Sequence, residues 1–97
     1  MSARVGHEEG EILFPLSLDA GPDGRIFVLD AGNSRIHVFD DDHNYITQWG
    51  RRGSGPGEFE FGQGLFAEDF RGSIAVDDDG FIYVADVLNK RIQKFAP

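Results

Sequence analysis

Asp40-Asp41-Asp42-His43-Asn44 sets oxygen donors at alternate positions, the ligand type a calcium ion takes. It lacks the glycine and the distant bidentate glutamate of a calcium loop, so a solvated turn is the simpler expectation, and Asp77-Asp78-Asp79 reads the same way. His7, His37 and His43 are the three imidazoles that a zinc site would need, but they are scattered along the chain. No nucleophile elbow, general acid/base pair or phosphate loop stands out; Gly50–Gly57 is rich in glycine but has no lysine of a phosphate loop and no helix after it. No catalytic residue is therefore assigned. The expected cofactor set is none, with calcium or zinc left open.

One polar constellation occurs twice. Gly24, Asp30, Asn33, Arg35, Ile36 and Phe39 recur 56 positions later as Gly80, Asp86, Asn89, Arg91, Ile92 and Phe95. A set present in every unit serves the unit, whereas a catalytic site is normally needed once. Asp30, Asn33, Arg35, Asp86, Asn89 and Arg91 are thus expected to be structural. In that reading the carboxylate at a strand end accepts N–H groups of the next turn, the asparagine takes a left-handed conformation and the arginine pairs with an aspartate.

The elements that position these residues follow from the same repeat. Asp23-Gly24 and Asp79-Gly80 are hairpin signals between apolar runs. The runs Ile26–Leu29 and Ile82–Ala85 are apolar at successive positions, which predicts strands covered on both faces. Further strands are expected at Phe14–Leu18, Arg35–Phe39, Tyr45–Trp49 and Arg91–Phe95. Pro15 sits where an opening residue needs no N–H. Self-similarity at a period of tens of residues marks an array or a propeller. The predicted fold is all-β, with propeller blades of four antiparallel strands.

These residues resemble the NHL repeat family, whose units form six-bladed β-propellers. The likeness rests on Pro15…Leu18-Asp19, Asp23-Gly24, Val28-x-Asp30-x-x-Asn33-x-Arg35-Ile36-x-Val38-Phe39, Trp49-Gly50 and Gly53-Ser54-Gly55-Pro56-Gly57-Glu58-Phe59. It extends from about Arg4 to Phe95. Members of that family serve as protein-binding platforms, RNA-binding domains, sensor domains and a few lyases, so the resemblance implies fold more than function. Its lyase members carry a metal-binding histidine just after the strand-opening proline, where this chain has Leu16 and Ser17.

In domain terms, residues 2–9 are expected to be the outer strand of a neighbouring blade, with Ala3–Gly6 parallel to Thr47–Gly50. Residues 10–59 form a first blade, 60–72 an inserted loop and 73–97 a second blade lacking its fourth strand. The chain then holds two blades' worth of strands in permuted order. Two blades cannot close a ring of four to eight. The partners expected are therefore two further copies, giving a homotrimeric six-bladed ring, or the remaining blades of a longer chain.

The insertion is the most individual stretch. Phe61, Gln63, Phe66, Glu68, Phe70 and Arg71 are its candidate binding residues, for a protein or small-molecule ligand, on the face that carries Ala31–Ser34 and Val87–Lys90. The competing expectation is that its phenylalanines seal the packing between blades. A net charge of −8 disfavours nucleic acid and anionic membrane, although Arg51-Arg52 is an adjacent basic pair. With no cysteine, redox compartment is not readable. No apolar stretch approaches the ~20 residues of a membrane helix, and Met1–Gly10 is not a signal peptide. Localisation stays unknown, with a soluble chain expected.

Overall fold

The glycine of each Asp-Gly pair adopts φ +88°, a left-handed value that side-chain-bearing residues rarely take, and this turns the chain back into a hairpin. Gly24 N–H closes onto the Gly21 carbonyl, and Gly80 N–H onto that of Asp77. In the computed structural model, which describes residues 4–64 and 66–97, these turns join strands of two antiparallel sheets. The strands in chain order are β1 (Arg4–Val5), β2 (Glu11–Ile12), β3 (Pro15–Ala20), β4 (Ile26–Asp30), β5 (Arg35–Phe39), β6 (Tyr45–Trp49), β7 (Ser73–Val76), β8 (Ile82–Asp86) and β9 (Arg91–Phe95).

The first blade is a four-stranded meander, β3-β4-β5-β6, and the second a three-stranded one, β7-β8-β9. Their registers repeat: Asp30 stands opposite Arg35, and Asp86 opposite Arg91. Pro15 opens β3 as expected. The chain has the all-β blade architecture that its sequence predicted.

The core lies between the sheets. Phe27, Leu29, Ile36 and Val38 of the first blade meet Ile74, Ile82 and Val84 of the second, with Trp49 packed against Phe95 at 5.2 Å between ring centres. Side chains on a strand alternate faces, so the first blade's other face carries Leu18, Ile26, Val28 and Phe39 along a second apolar groove. Burial on both faces of β4 explains why its apolar residues run without a polar break.

The links that lead into the blades are the second repeated part. β1 runs parallel to β2, and Arg52 bridges Phe59 in the same parallel sense. Gly6 N–H donates to the Ile12 carbonyl as Gly53 N–H does to that of Phe59. This pairing aligns Gly6 with Gly53, not with Gly50. The positions matching Tyr45–Trp49 then precede Arg4, and Ser2 and Ala3 of the expected outer strand lie outside the described residues. Among the described residues no helix is long and apolar enough to cross a membrane.

Candidate functional site: the repeated clamp and the loop face

At each strand end a buried aspartate draws the incoming link onto its blade. Asp86 accepts the Glu60 N–H at 2.9 Å, Asn89 Nδ2 at 2.9 Å and Arg91 Nε at 3.0 Å. Asp30 accepts the Phe14 N–H at 2.9 Å, the Leu13 N–H at 3.1 Å and Asn33 Nδ2 at 2.9 Å. Burial raises the Asp30 carboxyl, but hydrogen bonds from His37, Phe14, Leu13 and Asn33 outweigh it and hold the group below its ordinary value. The asparagines reach the other way, to the Gly6 and Gly53 carbonyls, each at 2.8 Å. Arg35 donates to the carbonyls of His7, Glu8 and Glu11; Arg91 donates to those of Ser54, Gly55 and Glu58. The donors and acceptors of the motif are spent inside the unit.

Three details of the expected clamp differ. Among the described residues the backbone N–H groups on the aspartates come from the preceding link, apart from Asn33 N–H of the following turn, at 3.3 Å from Asp30. The left-handed residue in each turn is the one after asparagine, Ser34 at φ 54° and Lys90 at φ 56°, because the asparagine side chain is already committed to the aspartate. Arg91 pairs with Asp86, but Arg35 Nε points at His37 Nε2 (3.2 Å), which stands 3.0 Å from Asp30. His37 fills the place that Gln93 has in the second blade, where the amide bonds Asp86, Gly57 and Glu58. Sequence reasoning missed both residues. Their signal was a polar side chain two positions after the repeated arginine, inside an apolar strand.

The inserted loop has a defined base. Phe14 matches Phe61 in the clamp and Ser17 matches Ser73 in the sheet, so residues 62–70 are additional. Gly62 and Phe70 bridge antiparallel, and Arg71 N–H donates to the Phe61 carbonyl at 2.7 Å. Gly62, at φ +118°, allows this pinch: a Cβ there would stand 1.9 Å from the Asp69 carbonyl oxygen. A 3₁₀ turn, Ala67–Asp69, forms its tip, closed by the Asp69 carboxylate on the Phe66 N–H.

Six residues of this stretch were singled out, and they divide. Phe61 is fully buried and stacks on Phe59 at 5.2 Å, so it seals the core and presents nothing to a ligand. Phe70 is half-buried against Phe14, with ring centres 4.6 Å apart. Phe66 is 63% exposed, and Gln63, Glu68 and Arg71 are exposed with it. Since Ala31 N–H bonds the Phe14 carbonyl, the insertion rises beside the Ala31–Ser34 turn.

The other candidates are turns. Asp40 Oδ1 accepts the N–H groups of Asp42 and Asn44, each at 2.9 Å. The Asn44 N–H bond comes first in holding its carboxyl below the ordinary value. Asp77 does the same for Asp79 and Phe81 and also accepts the Tyr83 hydroxyl. Among the described residues Asp40, Asp41 and Asp42 are the one cluster with ligand atoms close enough for a shared ion, within 4.8 Å, and the three histidines are not gathered. Arg51 and Arg52 are paired with Glu58 and Glu60.

Blades of this topology, each clamped to its incoming link through an aspartate, define a β-propeller protein. Residues 20–95 match the family described as 6-bladed beta-propeller, and the chain belongs to it. It is also 32% identical over 68 residues to the RING finger protein nhl-1 of Caenorhabditis elegans, a stretch covering 70% of this chain and 7% of that relative. The NHL-type repeat read from the sequence is thereby borne out.

Proposed function

We propose that the chain is a non-catalytic propeller unit that binds a protein or small ligand on its loop face. The observation that carries this reading is Phe66, 63% exposed at the end of an excursion that the first blade's link does not have. Covering an apolar ring that a pinned loop holds out in water is favourable, and contact with a partner would do so. Gln63, Glu68 and Arg71, exposed on the same stretch, add a donor-acceptor amide, an anion and a cation, which suit a mixed polar and apolar surface. The clamp residues add nothing to such a site, since their hydrogen bonds hold the blades. The remaining blades of the ring come from other copies or from a longer polypeptide.

A peptide library displayed on phage, selected on the chain and counter-screened on Phe66→Ala and Arg71→Ala, tests this. Selected peptides should bind the variants at least tenfold more weakly while circular dichroism stays unchanged. Equal binding to both variants would place recognition elsewhere. Elemental analysis of purified protein addresses the alternative, a metal-dependent propeller hydrolase or lyase. Stoichiometric calcium or zinc would favour that enzyme.

A further inference from the structure

The repeat makes the packing between the two blades a template for a contact the chain does not make with itself. Within the chain, the first blade offers Phe27, Leu29, Ile36 and Val38, and the second covers them with Ile74, Ile82, Val84 and Phe95. Moved by 56 positions, each set has a counterpart on the outer face of the other blade. Leu18, Ile26, Val28 and Phe39 match the covering set and line the apolar groove of the first blade. Tyr83, Ala85, Ile92 and Lys94 match the covered set on the far side of the second blade. Leu18 is 65% exposed and Ile92 71%, values that mated sheets would not leave.

The two outer faces carry opposite charges at matching positions of the rim. At the rim of the interface within the chain, Val38 and Phe27 share a cleft with Ala96 and Pro97. The corresponding residues of the open faces are Lys94 and Tyr83 on one side and Asp40 and Asp41 on the other. The Lys94 ammonium lies 4.4 Å from the centre of the Phe81 ring and 5.5 Å from that of Tyr83, held at the edge that would meet the two carboxylates. One hydrogen bond also carries over. Ile74 N–H donates to Ser17 Oγ at 3.2 Å, and the matching pair is Leu18 N–H with Ser73 Oγ. Another does not: the Asp19 carboxylate that accepts Val76 N–H at 2.7 Å has Ala75 as its counterpart.

We infer that the occupant of the first blade's groove is a second copy of this chain, docked head to tail by its Tyr83–Lys94 face. The contact is heterologous, so it either closes into a ring or grows without end. A ring of six blades built from copies of this two-blade unit alone holds three copies. Lys94 is then a specificity residue: it matches this chain's own acidic rim and repels a basic one. This inference is independent of the loop-face reading, because Phe66 is in neither surface.

Sedimentation and light scattering on the purified chain test it. The expected mass is about three times 10.7 kDa. Lys94→Glu, with circular dichroism as the check on its fold, should reduce the mass to that of one chain. Adding Asp41→Lys to it should restore the trimer by reversing both charges, while Phe66→Ala should leave the mass unchanged. A wild-type chain that stays monomeric at high micromolar concentration overturns the inference. So does a mass indifferent to Lys94→Glu, a double variant that remains monomeric, or scattering that grows without limit.

Discussion

A carboxylate with no exposed surface needs fixed donors in place of its water, and Asp30 and Asp86 have three or more donors each. Asp86→Ala would strand the Glu60 N–H and leave Arg91, whose side chain is 28% exposed, without its anion. That should cost about 3 kcal/mol, the low end for a broken buried pair because Arg91 keeps its three carbonyl partners, read as a fall in urea midpoint. By contrast Arg51→Ala, whose side chain is 82% exposed, should cost under about 1 kcal/mol. Acid sensitivity belongs to the same scale. Asp30 and Asp77 are held below their ordinary values, so their stabilisation is complete above the unfolded carboxyl range and is lost as pH falls through the folded values. The urea midpoint should therefore drop between about pH 5 and pH 3. Asp30→Asn should make that drop smaller.

At the scale of elements, the two links into the blades do the same work with different lengths of chain. Phe14 passes directly into β3, while Phe61 reaches β7 only after the pinned excursion of residues 62–70. Deleting those residues copies a connection that the first blade already makes. The shortened chain should keep its circular dichroism and lose about 1 to 2 kcal/mol, from the Phe70 ring leaving Phe14. The closure entropy of a shorter loop offsets a little of this. Peptide binding through Phe66 should disappear. Loss of the β spectrum instead would show that the excursion is part of the blade. Gly50 and Gly72 belong to this scale too, since a Cβ at either would stand 2.6 Å from the Phe59 or Phe61 ring.

For the whole molecule, two sheets share one core, and each has an outer face with an exposed apolar residue, Leu18 on the first blade and Ile92 on the second. The Cα radius of gyration, 12.4 Å, is close to the ~13 Å of a compact 100-residue domain, so the blades hold together as one body. If copies complete one another, folding and association are linked, and the urea midpoint should rise with protein concentration for the wild type but not for Lys94→Glu. A midpoint independent of concentration in both would count against assembly. The net charge of −8 per chain opposes gathering three of them, so in such a ring the apolar faces and Lys94 would have to outweigh it. Added salt should then strengthen the apolar share of the contact while weakening the Lys94 share.

Strands, turns and the repeat itself were legible in the residues, because apolar runs, Asp-Gly pairs and Pro15 act over a few neighbouring positions. The structural role of the Asp, Asn and Arg set was legible from its recurrence. Its partners were not: Asp30 meets an N–H 16 positions away and Asp86 one 26 positions away, and only the fold chooses those groups. Nor could composition separate Phe61 from Phe66, two phenylalanines in one loop. The pinch at Gly62 and Phe70 turns the first into the core and the second into water. Local chemistry set what each segment is, and the meeting of distant segments set what each side chain faces.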